Sequence, residues 1–334
     1  MDEYKDRLTI YEVAKASGVS LATVSRVINN ASSVKEETRN KVLAVIKKLG
    51  YKPSGLAQAL ATNKTTNIGV IIPSANYVYI SNLLNGISQV CRDKGFTMIL
   101  YTTGHSREEA LQVMEKAIKS HADGVIVFDD ELNEEDLLSF NNYSVPVISI
   151  NNKITGTKIG SISFGYEHLM RQIMTDYFVK GDKQMTFLHV HNAGKLLSRV
   201  ENNFIQCHLD NDREYEIINC DDSYQRTYQD FLERFKNYGR KKEYIIAYRD
   251  SIAAAVLNAA SDSGLNVPSD VEVVSIIGTK YSTIIRPSIT NFYIDMSEVG
   301  KRAMFMLIDL INNQLFNKEC KFESKYVKKD STLF

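Results

Sequence analysis

The first sixty residues constrain the fold most strongly, because they predict short helices joined by a tight turn. Residues 9–17 carry apolar side chains at helical spacing, and Gly18 follows where a helix end favours a residue that accepts a positive φ. Ser20 is placed to cap a second helix over residues 21–29. The second helix has one apolar stripe, formed by Val24, Val27 and Ile28. This arrangement is typical of a helix–turn–helix, whose second helix enters the DNA major groove.

Charge is distributed unevenly, although the chain of 334 residues has a formal net charge of zero. Residues 1–62 contain ten Lys or Arg and six Asp or Glu, so the remainder has four more acidic than basic residues. A basic excess at one end favours a polyanionic partner there. Hydrophobic residues make up 44% and charged residues 24%, as in ordinary globular proteins, and the length allows two or three domains.

Several classes of protein are disfavoured by what the sequence lacks. No apolar run is long enough for a membrane span, and the N-terminal MDEYKDRLT has no apolar signal core. The cysteines lie far apart without CxxC spacing, at Cys91, Cys207, Cys220 and Cys320. This spacing suggests neither a disulfide framework nor a zinc site. A reduced, cytoplasmic protein without a cofactor is the simplest interpretation.

The rest of the chain predicts an α/β fold. A third helix is predicted over residues 34–49, and the polar residues 63–67 mark a domain boundary. Beyond it, buried strands are predicted over residues 68–73, 96–102, 123–128, 145–150, 184–190, 244–248 and 271–277. Amphipathic helices are predicted over residues 83–94, 108–120, 168–179, 226–237, 251–263 and 299–312. This alternation predicts parallel βαβ units, arranged as two Rossmann-like subdomains with a ligand cleft between them.

Three runs near the N-terminus carry a resemblance to a known family: TIYEVAKASGVSLATVSRVIN, TRNKVLAVIKKLGYKP and LAQALAT. Further matches are IGVIIP, DGVIVF, LNVPSDVEVVSI, IRPSIT and YVKKDSTLF. The chain resembles the lac repressor/galactose repressor family of bacterial transcription regulators over nearly its whole length. The resemblance implies an all-α helix–turn–helix headpiece, a hinge helix and a two-lobed sensor like periplasmic sugar-binding proteins. It also implies a homodimer on a roughly palindromic operator.

The resemblance gives the domain limits. The headpiece covers residues 1–62, with the hinge helix at about 53–62, and the effector-binding and dimerisation domain covers residues 63–334. The first lobe of that domain is expected over residues 66–164 and 291–318. The second lobe is expected over residues 165–290 and 319–334.

The resemblance also assigns roles in DNA binding. The resemblance implies that Leu21, Ala22 and Arg26 contact the bases. The apolar side chains of Leu21 and Ala22 suit a thymine methyl, and the guanidinium of Arg26 suits guanine. Phosphate contacts fall to Thr9, Ser20, Thr23, Ser25 and Asn29. The minor-groove contacts of the hinge fall to Ala57 and Leu60. Ordinary alternatives remain open: Leu21 can pack against the first helix, and the polar residues can act as caps or face water.

The effector site is less clear from the sequence. Candidate residues are Tyr77, Tyr79, Asp129, Arg199, Tyr224 and Asp250, each of which can also be an ordinary loop residue. Acidic and other polar residues that sugar-binding members commonly have are replaced at Asn151, Gly165, Gly181-Asp182 and Ile277-Gly278-Thr279. The effector is therefore expected to be a sugar, a phosphosugar or another small molecule, or a co-regulator protein, and a sensor without an effector is a further possibility.

The combined prediction is a cytoplasmic, homodimeric, sequence-specific DNA-binding transcription regulator, and a repressor of a carbohydrate-related operon, with activation not excluded. The alternative is a cytoplasmic small-molecule (sugar) binding protein whose headpiece is vestigial. An enzyme is disfavoured, because no GxGxxG, Walker or HExxH motif occurs. His189 and His191 would share one face of a strand, but two ligands make a poor metal site.

Overall fold

The structure is a computed structural model that describes residues 8–52, 64–104, 106–143, 145–180, 184–191, 194–237, 243–314 and 317–334. Internal contacts divide the chain into two compact units, residues 1–66 and residues 67–334. Within the described ranges, no helix is both long enough and apolar enough to cross a membrane.

The first unit contains three described helices, α1 (Ile10–Ser17), α2 (Leu21–Ile28) and α3 (Glu36–Leu49). Their core consists of Val13, Val24, Val27, Val42 and Tyr51. Gly18 and Gly50 end α1 and α3 at φ values of 64° and 68°, which glycine adopts without steric cost. The predicted hinge helix, with Ala57 and Leu60, lies outside the described residues.

The second unit alternates strands and helices. Its strands are β1 (Asn67–Ile72), β2 (Thr97–Thr102), β3 (Gly124–Val127), β4 (Val147–Ile150), β5 (Ile159–Gly165), β6 (Gln184–Val190), β7 (Tyr215–Cys220), β8 (Glu243–Arg249), β9 (Val271–Ile277), β10 (Thr290–Tyr293), β11 (Glu319–Glu323) and β12 (Lys325–Val327). Its helices are α4 (Val78–Lys94), α5 (Arg107–Lys119), α6 (Glu134–Ser139), α7 (Glu167–Lys180), α8 (Gly194–Asp210), α9 (Tyr224–Asn237), α10 (Asp250–Asp262), α11 (Tyr281–Ile284) and α12 (Met296–Ile311).

The strands form two sheets, which define two lobes. The first-lobe sheet has the order β11-β5-β4-β3-β1-β2, and the second-lobe sheet has the order β12-β10-β9-β8-β6-β7. All pairings are parallel except that of β10 with β12. Central strands such as β4 and β9 are buried throughout, as expected for parallel strands covered on both faces. The prediction of two Rossmann-like subdomains is therefore confirmed.

The lobe limits differ from those expected. β10 belongs to the second-lobe sheet, although residues 291–318 were expected in the first lobe, and β11 belongs to the first-lobe sheet, although residues 319–334 were expected in the second. The reason is that the chain crosses between lobes after β5, after β10 and again between β11 and β12. At the third crossing only Ser324 separates the strands, and its N–H and Oγ both donate to the carbonyl of Gly165, at 3.2 and 2.9 Å.

Helix α12 returns from the second lobe to pack against α4 and the first-lobe sheet. Helices α4 and α12 approach closely because each has a glycine where it faces the other. A Cβ on Gly86 would lie 2.0 Å from the carbonyl oxygen of Ser297, and one on Gly300 would lie 2.2 Å from that of Leu83. This close packing positions the start of α12 beside the cleft between the lobes.

Candidate functional site

The N-terminal end of α2 forms an exposed surface on the first unit. Val24 and Val27 anchor the opposite side of the helix in the core. The hydroxyl of Ser20 accepts a hydrogen bond from the N–H of Thr23 at 3.2 Å and therefore caps the helix. The turn from Gly18 to Ser20 and this cap orient α2, as the sequence predicts.

Of the three predicted base-reading residues, Leu21 and Ala22 lie at this end of α2, and Arg26 lies in the last turn of the same helix. Leu21 is 37% exposed, and Ala22 and Arg26 are also exposed. Among the described residues, Arg26 has no ion pair. Helix α2 thus offers two apolar side chains and one available guanidinium, which can contact a thymine methyl and the O6 and N7 atoms of guanine.

The predicted phosphate-contact residues are bonded to one another or to neighbours. The Oγ atoms of Ser20 and Thr23 lie 2.9 Å apart, and the amide of Asn29 donates to Ser25 Oγ at 3.4 Å. The N–H and hydroxyl of Thr9 both donate to the carboxylate of Glu12, at 2.6 and 3.1 Å. Hydroxyls retain capacity for a second bond. Thr9, Ser20 and Thr23 lie at helix N-termini, where anions are favoured, whereas Ser25 and Asn29 lie at the C-terminal end of α2.

Arg39 is a residue that the sequence analysis did not single out. Its guanidinium donates to Asn30 Oδ1 at 2.7 Å and to the carbonyl of Ala31 at 2.5 Å. Asn30 has φ of 56°, a left-handed conformation that asparagine tolerates better than most residues. Arg39 on α3 therefore holds the loop that follows α2, and only the folded chain brings the two segments together.

A first cavity of about 400 Å³ lies between the lobes of the second unit. Its lining is mostly apolar and includes Phe128, Phe164, Tyr166, Ile277, Ile294 and Met296. A second cavity of about 800 Å³ is lined mainly by polar and charged residues. Its lining includes Asp130, Asn151, Asn152, His189, Arg199 and Asn202. The described linings of the two cavities have no residue in common.

Arg199, a predicted effector residue, lines the second cavity and bridges the lobes. Its Nη2 donates to Asn151 Oδ1 at 2.5 Å, and the Asn151 amide donates to Asp130 Oδ1 at 2.9 Å. Arg199 Nε is buried and has no hydrogen-bond partner among the described residues. Asn151 thus provides a neutral link between a cation and a carboxylate.

Tyr77 and Tyr79 form a second bridge between the lobes. Their rings are stacked with centroids 5.6 Å apart, and Tyr79 lines the first cavity. The guanidinium of Arg249, from the second lobe, lies 4.7 Å from the ring centroid of Tyr77 and pairs with Asp222. Burial is the largest influence on the pKa of Arg249 and lowers it, and burial raises the pKa of Tyr79. Sequence analysis missed Arg249, although it ends a buried strand at the cleft.

Asp129 and Asp250 are predicted effector residues that the structure uses for internal hydrogen bonds. The carboxylate of Asp129 is 1% exposed, and it accepts from Thr103 Oγ1 and from the N–H of Glu131, the latter at 2.8 Å. Asp250 is equally enclosed and accepts bonds from the loop at Thr279. Neither belongs to the described lining of the two cavities, and an effector contact by Asp129 or Asp250 stays a prediction.

Tyr224 is a predicted effector residue whose contacts lie within the second lobe. Its hydroxyl accepts a hydrogen bond from Asn258 at 2.6 Å, and its ring stacks with that of Tyr228 at a centroid distance of 6.3 Å. These contacts join α9 to α10 on the outside of the second lobe. Tyr224 is therefore not part of the described lining of either cavity.

The histidine pair lies at the end of β6, with His189 on the strand and His191 just after it, and a carboxylate contacts His189. His189 Nδ1 lies 2.6 Å from Glu201 Oε2, and the rings of His189 and His191 are 6.3 Å apart. Among the described residues, no group of three or more His, Cys, Asp or Glu side chains could hold a metal ion. Both histidines line the second cavity, where they can donate or accept hydrogen bonds.

One family match lies within each of the two units of the structure. Residues 9–54 match the family described as bacterial regulatory proteins, lacI family, and residues 193–332 match the periplasmic binding protein-like domain. Catabolite control protein A of Staphylococcus xylosus is 30% identical over 312 residues, which cover 92% of this chain and 93% of that protein. Catabolite control protein A of Priestia megaterium matches with the same identity and coverage.

Solved structures show the same fold. The lac repressor dimer bound to operator and the anti-inducer ONPF has a TM-score of 0.86 at 23% identity, covering 98% of this chain and all of that one. The transcription regulator CcpA of Lactococcus lactis has a TM-score of 0.66 at 21% identity, covering 80% of this chain and 98% of that one. The chain therefore belongs to the lacI family of bacterial regulatory proteins and is a DNA-binding transcription regulator.

Proposed function

We propose that this regulator binds a palindromic operator as a homodimer and represses a carbohydrate-related operon. The observation that carries the proposal is the exposure of Leu21 and Ala22 in the first turn of α2 and of Arg26 in its last turn. Each protomer would place this helix in the major groove of one half-site. Repression follows if the operator overlaps a promoter.

Within the proposal, the polar residues at helix ends set the register of the headpiece on the phosphate backbone. These residues are Thr9, Ser20, Thr23, Ser25 and Asn29. Ala57 and Leu60 would face the minor groove from the hinge, where an apolar wedge unstacks one base step and lets the bent DNA contact more protein.

The proposed effector site is the second cavity. Its amides and the unpartnered Nε of Arg199 suit the hydroxyls of a sugar or the phosphate of a phosphosugar. A ligand there would contact both lobes and favour one arrangement of them, which is how it would alter operator affinity. A co-regulator protein is the other proposed effector. The regulator would act in the cytoplasm, where the chromosome lies, and the proposal involves no catalysed reaction.

The test is fluorescence anisotropy of the full-length protein on duplexes from upstream of its own gene, with scrambled duplex as competitor. The proposal expects binding that survives a large excess of competitor and weakens steeply with salt, because several phosphates are contacted. Leu21→Ala should weaken operator binding, whereas Leu43→Ala, an exposed leucine on α3, is the matched control and should not.

The alternative function is a small-molecule binding protein with a vestigial headpiece. It predicts that operator and scrambled duplexes bind equally weakly at all salt concentrations, while a sugar or phosphosugar still binds the second unit. In that case Leu21→Ala and Leu43→Ala would have the same effect, and the DNA-binding proposal would be wrong.

A further inference from the structure

Helix α2 ends in a pair of crossed hydrogen bonds of the Schellman type, which needs a residue with positive φ directly after the helix end. The N–H of Ala31 donates to the carbonyl of Arg26 at 2.9 Å, and the N–H of Asn30 donates to the carbonyl of Val27 at 3.1 Å. Asn30 supplies the positive φ, at 56°. Helices α1 and α3 have a glycine at their C-terminal ends, whereas at the end of α2 a residue with a side chain occupies a conformation that favours glycine.

Arg39 supports this end of α2 from the neighbouring helix α3. Its Nη1 donates to Asn30 Oδ1 at 2.7 Å, and its Nη2 donates to the carbonyl of Ala31 at 2.5 Å. One guanidinium therefore holds the side chain of the left-handed residue and the backbone of the residue after it. The planar fork of arginine can reach two acceptors at once, whereas a lysine ammonium is a single point charge on a flexible stem.

The position of Arg39 is itself fixed, because it lies in an anchored part of α3. Its N–H donates to the carbonyl of Lys35 at 3.0 Å. Val42, one turn further along α3, is completely buried in the core of the first unit. The positive charge of Arg39 therefore stays at the C-terminal end of α2, where the helix dipole favours a cation.

Two of the proposed DNA contacts lie at this end of α2. Arg26, the proposed base reader, gives its carbonyl to the crossed hydrogen bonds, and Asn29, a proposed phosphate contact, is the C-cap. A side chain that reads a base must be held within about 0.5 Å of the productive geometry, and helix ends fray. Loss of the hydrogen bonds from Arg39 would therefore loosen the turn that carries Arg26.

We infer that Arg39 is a positioning residue for base readout, which closes the C-terminal end of α2 and thereby holds Arg26 in place. The inference rests on the base contact of Arg26 proposed above. Arg39 would raise the preference for the operator over other sequences, because base contacts carry that preference. It would add little to the attraction that phosphates exert on any duplex, because two of its nitrogens are bonded to the loop.

The test compares the affinities of the full-length protein for operator and scrambled duplexes, by fluorescence anisotropy at several salt concentrations. Arg39→Met removes both hydrogen bonds and one positive charge. Lys48→Met is the matched control, because it removes one exposed charge from the opposite face of the same helix. The ratio of the operator affinity to the scrambled-duplex affinity should fall about tenfold in Arg39→Met, as for a lost base contact, and should stay unchanged in Lys48→Met. The salt dependence of binding should be the same in Arg39→Met as in the wild type.

A double variant separates positioning from stability. A headpiece that is only less stable binds both duplexes more weakly to the same extent, so its affinity ratio does not change. Asn30→Gly places glycine at the left-handed position, where the crossed hydrogen bonds form without a supporting side chain. In the Arg39→Met protein, Asn30→Gly should restore most of the lost ratio. Far-UV circular dichroism checks the folding of each variant, and the double variant provides the result if Arg39→Met alone folds poorly.

A second comparison tests whether Arg39 acts through Arg26. If it does, Arg39→Met should change the affinity ratio much less in an Arg26→Ala protein than in the wild type, because the base contact is already lost. Two residues that act independently would instead have additive effects on the logarithm of the ratio.

Four results would overturn the inference. They are an unchanged ratio in a folded Arg39→Met protein, a ratio that stays low in the folded double variant, additive effects of Arg39→Met and Arg26→Ala, and equal weakening on both duplexes with a shallower salt dependence. The last result would make Arg39 a phosphate contact. A wild-type protein that shows no preference for the operator would overturn the operator proposal, and this inference with it.

Discussion

The carboxylate of Asp250 holds the loop that contributes Thr279 to the first cavity, and its removal is a sharp test of the structure. One oxygen, Oδ2, accepts hydrogen bonds from the N–H of Thr279 at 2.6 Å, from its hydroxyl at 2.7 Å and from the N–H of Ser282 at 3.1 Å. Asp250 is also the first residue of α10, where a negative charge is favoured by the helix dipole. Asp250→Ala removes all of these interactions.

The expected cost follows from the exposure of the donors. A hydrogen bond to a charged acceptor contributes about 1.5–3 kcal/mol, but three bonds to one oxygen are not additive. Water can reach Thr279, which is partly exposed, whereas Ser282 is 2% exposed and would keep an unsatisfied N–H. We expect Asp250→Ala to lower the free energy of unfolding by about 3–5 kcal/mol. Asp250→Asn, which retains an acceptor oxygen, should cost about 1 kcal/mol.

The assay is urea unfolding of the full-length protein, followed by far-UV circular dichroism at neutral pH. Asp262→Ala is the matched control, because Asp262 ends the same helix and accepts a surface hydrogen bond from Tyr228 at 2.6 Å. This control should lower the free energy of unfolding by less than about 1 kcal/mol. If Asp250→Ala and Asp262→Ala have equal, small effects, the carboxylate does not hold the loop and the reasoning is refuted.

Arg26→Ala should reduce the discrimination between base pairs at a single operator position by about 1–3 kcal/mol of binding free energy. The measurement is binding of both proteins to operators substituted one base pair at a time. Binding that is weakened without any change in base discrimination would indicate that Arg26 contacts a phosphate. Burial lowers the pKa of His208 from its ordinary 6.5, so the unfolded state binds more protons and stability should fall as pH drops below about 6.5. Urea midpoints should show this fall in the wild type and a smaller one in His208→Gln; identical pH profiles would contradict it. Arg234→Met should lower the free energy of unfolding in urea by about 3–5 kcal/mol, because the Glu243 carboxylate, 3% exposed, loses a cation at 2.9 Å. Arg171→Met removes an exposed ion pair and should lower the free energy of unfolding by less than about 1 kcal/mol. Equal losses in the two variants would contradict this prediction.

Local signals in the headpiece were sufficient to predict its helices. Gly18, Ser20 and Gly50 act through their own backbone or through neighbours within three residues. As these residues indicate, α1 ends before Gly18, α2 begins after Ser20, and α3 ends before Gly50. The third helix begins two residues later than expected, because Lys35 has an extended backbone, with ψ of 141°, and occupies the N-cap. The pattern of apolar residues alone did not reveal that extended residue.

Strands β5 and β7 are among the elements that were not predicted, and their sequences explain why. β5 contains Gly160, Ser161 and Ser163, which have little intrinsic preference for a strand, and it is formed by pairing with β4 and β11. β7 lies at the edge of its sheet and is only half-buried, so it lacks a continuous apolar run. In both cases the decisive interactions come from distant parts of the chain.

The same limit applies to the candidate effector residues. That Asp129 and Asp250 lie at the ends of strands could be predicted from the strand pattern. Whether a carboxylate remains available depends on partners that the pattern does not show: Thr103 lies 26 residues from Asp129, and Thr279 lies 29 residues from Asp250. The contact between Phe128 and Phe164, which both line the first cavity, was missed for a related reason. The two rings meet only when β3 and β5 both pair with β4.

The single residue between β11 and β12 has a consequence for how the protein is made. β11 completes the edge of the first-lobe sheet, and β12 completes the edge of the second. The ribosome must therefore synthesise residues 319–327 before either sheet has its last strand, although most residues of the first lobe have been synthesised once the chain reaches residue 165. Until then both sheets expose an unpaired edge, a state in which nascent chains associate with one another. Neither sheet can be completed before residues 319–327 have been synthesised, so both lobes depend on the same segment to pair these exposed edges.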